Sequence, residues 1–145
     1  MFEIKGFTPR KYQENILETC KNNNTLVILP TGLGKTKIGV LLAVYELNKS
    51  LKSKVLITSP TKPLAAQLNN EFKSSTNIEN ISLLTGSVSP KKRQEIWESS
   101  SIISATPQTI KSDMENGRIK LNDVKLLIVD ECHRSKMRYA STLLA

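Results

Sequence analysis

Two short segments of this 145-residue chain carry residue types whose spacing can do chemistry. The first is Pro30-Thr31-Gly32-Leu33-Gly34-Lys35-Thr36, directly after the apolar run Thr25–Leu29. Its glycines permit a tight backbone turn in which successive amide N–H groups face inward as an anion nest. A helix opening at Lys35 would aim its positive end at the same point. The pattern G-x-x-x-x-G-K-[ST] holds phosphates by these means, although Leu29 stands where its first glycine would be. In such a loop Thr31, Gly32, Leu33 and Gly34 wrap the phosphates. The Lys35 amine would reach the β- and γ-phosphates, and the Thr36 hydroxyl would ligate Mg²⁺. The plain alternative is a glycine-rich turn between a strand and a helix.

The second segment is Leu127-Ile128-Val129-Asp130-Glu131-Cys132-His133, an apolar run ending in two acids. A strand-terminal aspartate is the expected partner for Mg²⁺. Glu131, one residue further, can orient the attacking water and take its proton. Taken alone, the pair reads equally as a solvated turn; beside a Lys-Thr phosphate loop the chemical reading gains. Cys132 reads as a small packing residue. Cys20 and Cys132 cannot form a disulfide framework, and with His133 as the sole histidine they are too few for a four-ligand zinc site.

Positioning these residues requires a sheet. The length suits about one domain, and 39% hydrophobic with 23% charged residues is a globular composition. No apolar run reaches the roughly 18 residues of a membrane span, and no leader opens the chain, which points to an intracellular, cytoplasmic protein. Short apolar runs predict strands at Thr25–Leu29, Lys54–Ser59, Ile81–Thr85, Ser101–Ala105 and Lys125–Asp130. Apolar periodicity near 3.6 predicts helices between them, over Lys35–Asn48, Pro63–Lys73, Pro90–Trp97 and Pro107–Met114. A further helix is expected to open at Thr8-Pro9 and run to about Asn22. Strands alternating with helices give βαβ units, an α/β fold with a mostly parallel sheet covered on both faces. Ligands in such sheets bind beyond the strand C-terminal ends. A net charge of +8, spread over both halves, suits a polyanion, or only solubility.

PTGLGKT and DECH in this order resemble the motifs of a superfamily 2 helicase or translocase motor. The resemblance covers nearly the whole chain. Arg10 and Tyr12-Gln13 resemble the Q motif, which implies that Gln13 contacts adenine. Pro60-Thr61-Lys62-Pro63-Leu64 looks like motif Ia, Thr85-Gly86 like the TG motif, and Ala105-Thr106-Pro107-Gln108-Thr109 like the ATPQT motif. Lys35, Thr36, Asp130, Glu131 and His133 match the nucleotide positions of motifs I and II. In the family the residue matching His133 couples nucleotide to other motor motifs. PTKPL, ATPQTI and the GRI segment resemble in particular the archaeal Hef and FANCM-like DNA helicases, whereas DECH also occurs in Dicer- and RIG-I-like RNA motors.

The resemblance implies a RecA-like P-loop NTPase fold over residues 1–145, ATP and Mg²⁺ as nucleotide and ion, and nucleic acid as partner. Branched DNA is favoured over RNA. Thr61, Lys62, Gly86, Thr106 and Gln108 lie on short loops after strands, where amides and hydroxyls can hold a phosphate backbone without reading sequence. Each alone is as well explained as a cap or turn residue. Lys91-Lys92-Arg93 is expected to be a solvated basic helix face. The family's motif III and its second RecA-like domain, which supplies the arginine finger, find no match here. Motif III forms a strand between the P-loop strand and the DE strand, so the resemblance implies an incomplete first domain with a gap at its sheet centre. Two other readings stay open: a nucleotide- and nucleic-acid-binding domain without turnover, and an RNA-directed motor.

Overall fold

A computed structural model describes residues 2–20, 25–28, 35–50, 52–131 and 136–140. Along the chain run α1 (Lys11–Cys20), β1 (Thr25–Ile28), α2 (Lys35–Lys49), β2 (Lys54–Thr58), α3 (Lys62–Ser75) and β3 (Ile81–Leu84). After them come α4 (Pro90–Ser99), β4 (Ile102–Ala105), α5 (Pro107–Glu115), β5 (Val124–Glu131) and β6 (Lys136–Ala140). Among the described residues no helix is long and apolar enough to cross a membrane.

The strands form one sheet in the order β1-β6-β5-β2-β4-β3. β2 pairs in parallel with both β5 and β4, and β4 with β3. β6 is antiparallel to β1 on one side and to β5 on the other, so β1 runs in the same direction as β5. The expected gap between the P-loop strand and the DE strand is therefore not there. The chain turns back after β5 and fills it, satisfying the backbone N–H and C=O groups that two facing strand edges would leave unpaired.

Side chains alternate across the sheet and divide the core in two. Val55, Ile57, Ile102, Leu126 and Ile128 face α2 and α3, meeting Ile38, Leu42, Leu68 and Phe72. Leu56, Leu84, Ile103 and Ala105 face α4 and α5, meeting Trp97 and Ile110. Val124 belongs to the second cluster and Leu126 to the first, although strand parity would put both on one side. The register shift between Lys54 and Val55 explains this, because Lys125 is an extra residue on β5.

Helix starts follow local rules. Thr61 and Ser89 cap α3 and α4 by accepting from the N–H groups of Leu64 and Lys92, each at 3.4 Å. Proline sits in the first two positions of α3, α4 and α5, where its missing N–H costs nothing. α1 departs from the expected Thr8-Pro9 start. It opens at Lys11, and the Gln13 side-chain Oε1 accepts from the Arg10 N–H at 2.9 Å, the returning arm of a capping box. Lys37 ties α2 to α3 within one helical layer. Its amine donates to Ser75 Oγ at 2.8 Å, pairs with Glu71 at 3.0 Å and lies 4.7 Å from the Phe7 ring centre.

Candidate nucleotide and nucleic-acid site

Every strand that the sequence arms with chemistry ends at the same edge of the sheet. One rung runs Leu84–Ala105–Thr58–Val129–Arg138–Leu26 across all six strands. Beyond it, Ile28 and Glu131 both pair with Lys136 and so stand level, two strand spacings or about 10 Å apart. The chain leaves β1 there and re-enters the described structure at Lys35, the first residue of α2. Because β1 and β5 are parallel, their C-terminal ends, at Ile28 and at Asp130-Glu131, share one edge of the sheet.

Asp130 is 8% exposed at the end of β5, and Thr36 is half-buried in the first turn of α2. A carboxylate and a hydroxyl are hard oxygen donors of the kind Mg²⁺ takes, so the donor set fits that ion. Lys35 and Glu131 are placed by their backbones. Thr31, Gly32, Leu33, Gly34 and His133 lie outside the described residues. Gln13 is buried, and its carbonyl is engaged by the Arg10 N–H; an adenine contact would share or replace that bond.

The nucleic-acid candidates line the other half of the edge, past β2, β4 and β3. Lys62 is exposed, and its amine donates to Ser87 Oγ at 3.1 Å, which links the loop after β2 to the turn after β3. That turn is closed by the Val88 N–H donating to the Thr85 carbonyl at 3.1 Å. Gly86 is exposed at its tip. Gln108 is exposed in the first turn of α5. The Thr61 hydroxyl oxygen accepts the α3 cap bond, which leaves its O–H able to donate. Thr106 is buried and shares a hydrogen bond with the Thr109 hydroxyl at 3.0 Å.

One expectation is overturned. Lys91 and Lys92 are exposed, but Arg93 is buried and its guanidinium forks onto Asp113 with two bonds of 2.8 Å. Arg118 Nε donates to the same carboxylate at 2.8 Å. Burial works to raise the Asp113 pKa, but hydrogen bonds from the two arginines outweigh it and hold the carboxyl below its usual range. The same bonds raise Arg93 against the opposing effect of burial. The signal was available. Arg93 and Trp97 are four apart on one helical face, as Asp113 and Ile110 are three apart on another; a charge run read linearly hides that.

With this geometry in view, the comparisons with known proteins are specific. The family model described as DEAD/DEAH box helicase matches residues 10–143. The chain is 40% identical over its whole length to a protein of Methanocaldococcus jannaschii named as a candidate ATP-dependent RNA helicase, of which it spans 19%. It is 38% identical over 94% of its length to the DEAD-box ATP-dependent DNA helicase Fancm of Drosophila melanogaster, of which it spans 10%. The solved Hef helicase domain of Pyrococcus furiosus superposes with a TM-score of 0.83 at 48% identity, covering 87% of this chain and 27% of that one.

Proposed function

Because this chain belongs to the DEAD/DEAH box helicase family, we propose that it is the ATP-binding part of an ATP-dependent DNA helicase or translocase. The parent activity is ATP hydrolysis coupled to movement on, or remodelling of, branched DNA inside the cell. The observation that carries this reading is the parallel placement of β1 and β5, which brings Ile28 level with Glu131 on one edge. The likeness to the Hef domain and to Fancm supports DNA as the substrate.

In this reading the loop 30–34 and the N-terminus of α2 hold the triphosphate, and the Lys35 amine meets the β- and γ-phosphates. Thr36 and Asp130 hold Mg²⁺, which neutralises charge on the phosphate oxygens when bound. Glu131 takes the proton of the attacking water, Gln13 contacts adenine, and His133 relays the nucleotide state. Thr61, Lys62, Gly86, Thr106 and Gln108 hold one nucleic-acid backbone without reading bases. The chain spans less than a fifth of the curated relatives named above, and we assign a second RecA-like domain as the partner that supplies the arginine finger.

The test is ATP turnover by the full-length motor with and without single-stranded DNA. Stimulated turnover is expected, and Lys35→Ala or Glu131→Gln should each lower it by about a hundredfold or more. Turnover that survives both changes would overturn the site. The Methanocaldococcus relative's name favours a second reading, an RNA-directed motor; stimulation by RNA in place of DNA would decide for it.

A further inference from the structure

We propose that Arg93 and Asp113 form a positioning pair that holds the Thr85–Val88 turn against the first turn of α5, so that both meet one nucleic-acid backbone. The inference rests on the nucleic-acid edge proposed above and goes beyond it, because neither residue lies in a motif that the sequence reading used.

Arg93 spends its guanidinium on two elements at once. Nε and Nη2 grip Asp113 of α5, while Nη1 donates to the Val88 carbonyl at 2.6 Å. Val88 closes the turn that carries Gly86. Asp113 lies about one and a half helical turns from Gln108 on the same rigid helix, about 8 Å along its axis. One planar fork therefore fixes the distance from the Gly86 tip to the α5 N-terminus. A fork of this kind is charge-assisted and directional, and lysine, a point charge on a flexible stem, cannot reproduce it. Packing alone would not need it, since a buried ion pair is no more stabilising than apolar residues of the same volume. Arg118 supplies the contrast: it grips Asp113 and Ser112 but makes no bond to the turn.

The experiment uses this chain and measures binding of a fluorescein-labelled single-stranded oligonucleotide, binding of a non-hydrolysable ATP analogue with Mg²⁺, and the thermal midpoint. Arg93→Lys is expected to weaken oligonucleotide binding about fivefold to tenfold, with nucleotide affinity changed by less than about twofold. Arg118→Ala, whose half-buried side chain makes a folding failure less costly to the design, should lower the midpoint and leave oligonucleotide affinity near that of the parent. Asp113→Asn should follow Arg93→Lys. Loss of strand affinity in proportion to the fall in midpoint across all three variants would overturn the proposal. So would full affinity in Arg93→Lys. If Gly86→Ala and Gln108→Ala both bind like the parent, the nucleic-acid edge itself is misassigned and the pair loses its role with it.

Discussion

A Cβ built on Gly86 meets no atom within 4 Å, and the backbone there is not in the left-handed region. The fold therefore does not require glycine at this tip. Gly86→Ala is expected to change stability by less than about 0.5 kcal/mol while weakening strand binding, because the methyl group would stand in the path of the proposed phosphate backbone. Calorimetry paired with an oligonucleotide titration checks this; intact binding would remove Gly86 from the site. Gln13 shows the converse. Its carbonyl already serves α1 as a cap, so a structural duty and the proposed adenine contact fall on one side chain. Arg93 was misread because three basic letters in a row suggest a solvated patch. The helical period assigns each of the three a different direction.

Among the elements, α3 joins the site to the core most directly. It opens at the Thr61–Lys62 loop, and Phe72, 1% exposed, anchors it in the larger hydrophobic cluster. Phe72→Ala should cost about 3–5 kcal/mol, seen as a shift of the urea midpoint. A shift below about 1 kcal/mol would mean that α3 is not held by this side chain. Strands β2 to β5 were legible because each is a short apolar run, and α3 to α5 because apolar residues recur on one helical face, with Ser89-Pro90 marking the start of α4. β6 was not foreseen. Lys136–Ala140 has a period-two alternation, but nothing local says that an antiparallel strand will enter between two parallel ones. Pairing partners distant in sequence decide that.

At the scale of the whole molecule, two buried carboxyls among the described residues, Asp113 and Glu46, shift in opposite directions. The folded pKa of Asp113 is lowered, so its stabilisation is present above the ordinary aspartate value near 3.8 and lost as pH falls below it. Burial raises the pKa of Glu46, with Lys49 opposing. Relative to the unfolded chain the fold thus disfavours the ionised form, and stability is lost as pH rises through the raised value. Glu46→Gln should raise the urea midpoint at pH 7 and forfeit that gain below about pH 4. Asp113→Asn should lower the midpoint at pH 7, with the deficit shrinking in the same acid range. Urea titrations at pH 7 and pH 3 measure both, and parallel behaviour of the two variants would contradict these assignments.

What the letters alone determined was the identity of the chemistry: a Gly-rich loop ending in Lys35-Thr36, an apolar strand ending in Asp130-Glu131, and an alternation that makes a parallel sheet. These are local properties, carried by spacing and side-chain type, and the loops after β2, β3 and β4 could be named from them. Tertiary structure decided which loops share an edge, that β6 lies between β1 and β5, and that Arg93 turns inward to Asp113. Each depends on a partner 20 or more residues away. Free energies of pairing and burial are properties of two surfaces, and a linear reading contains only one of them at a time.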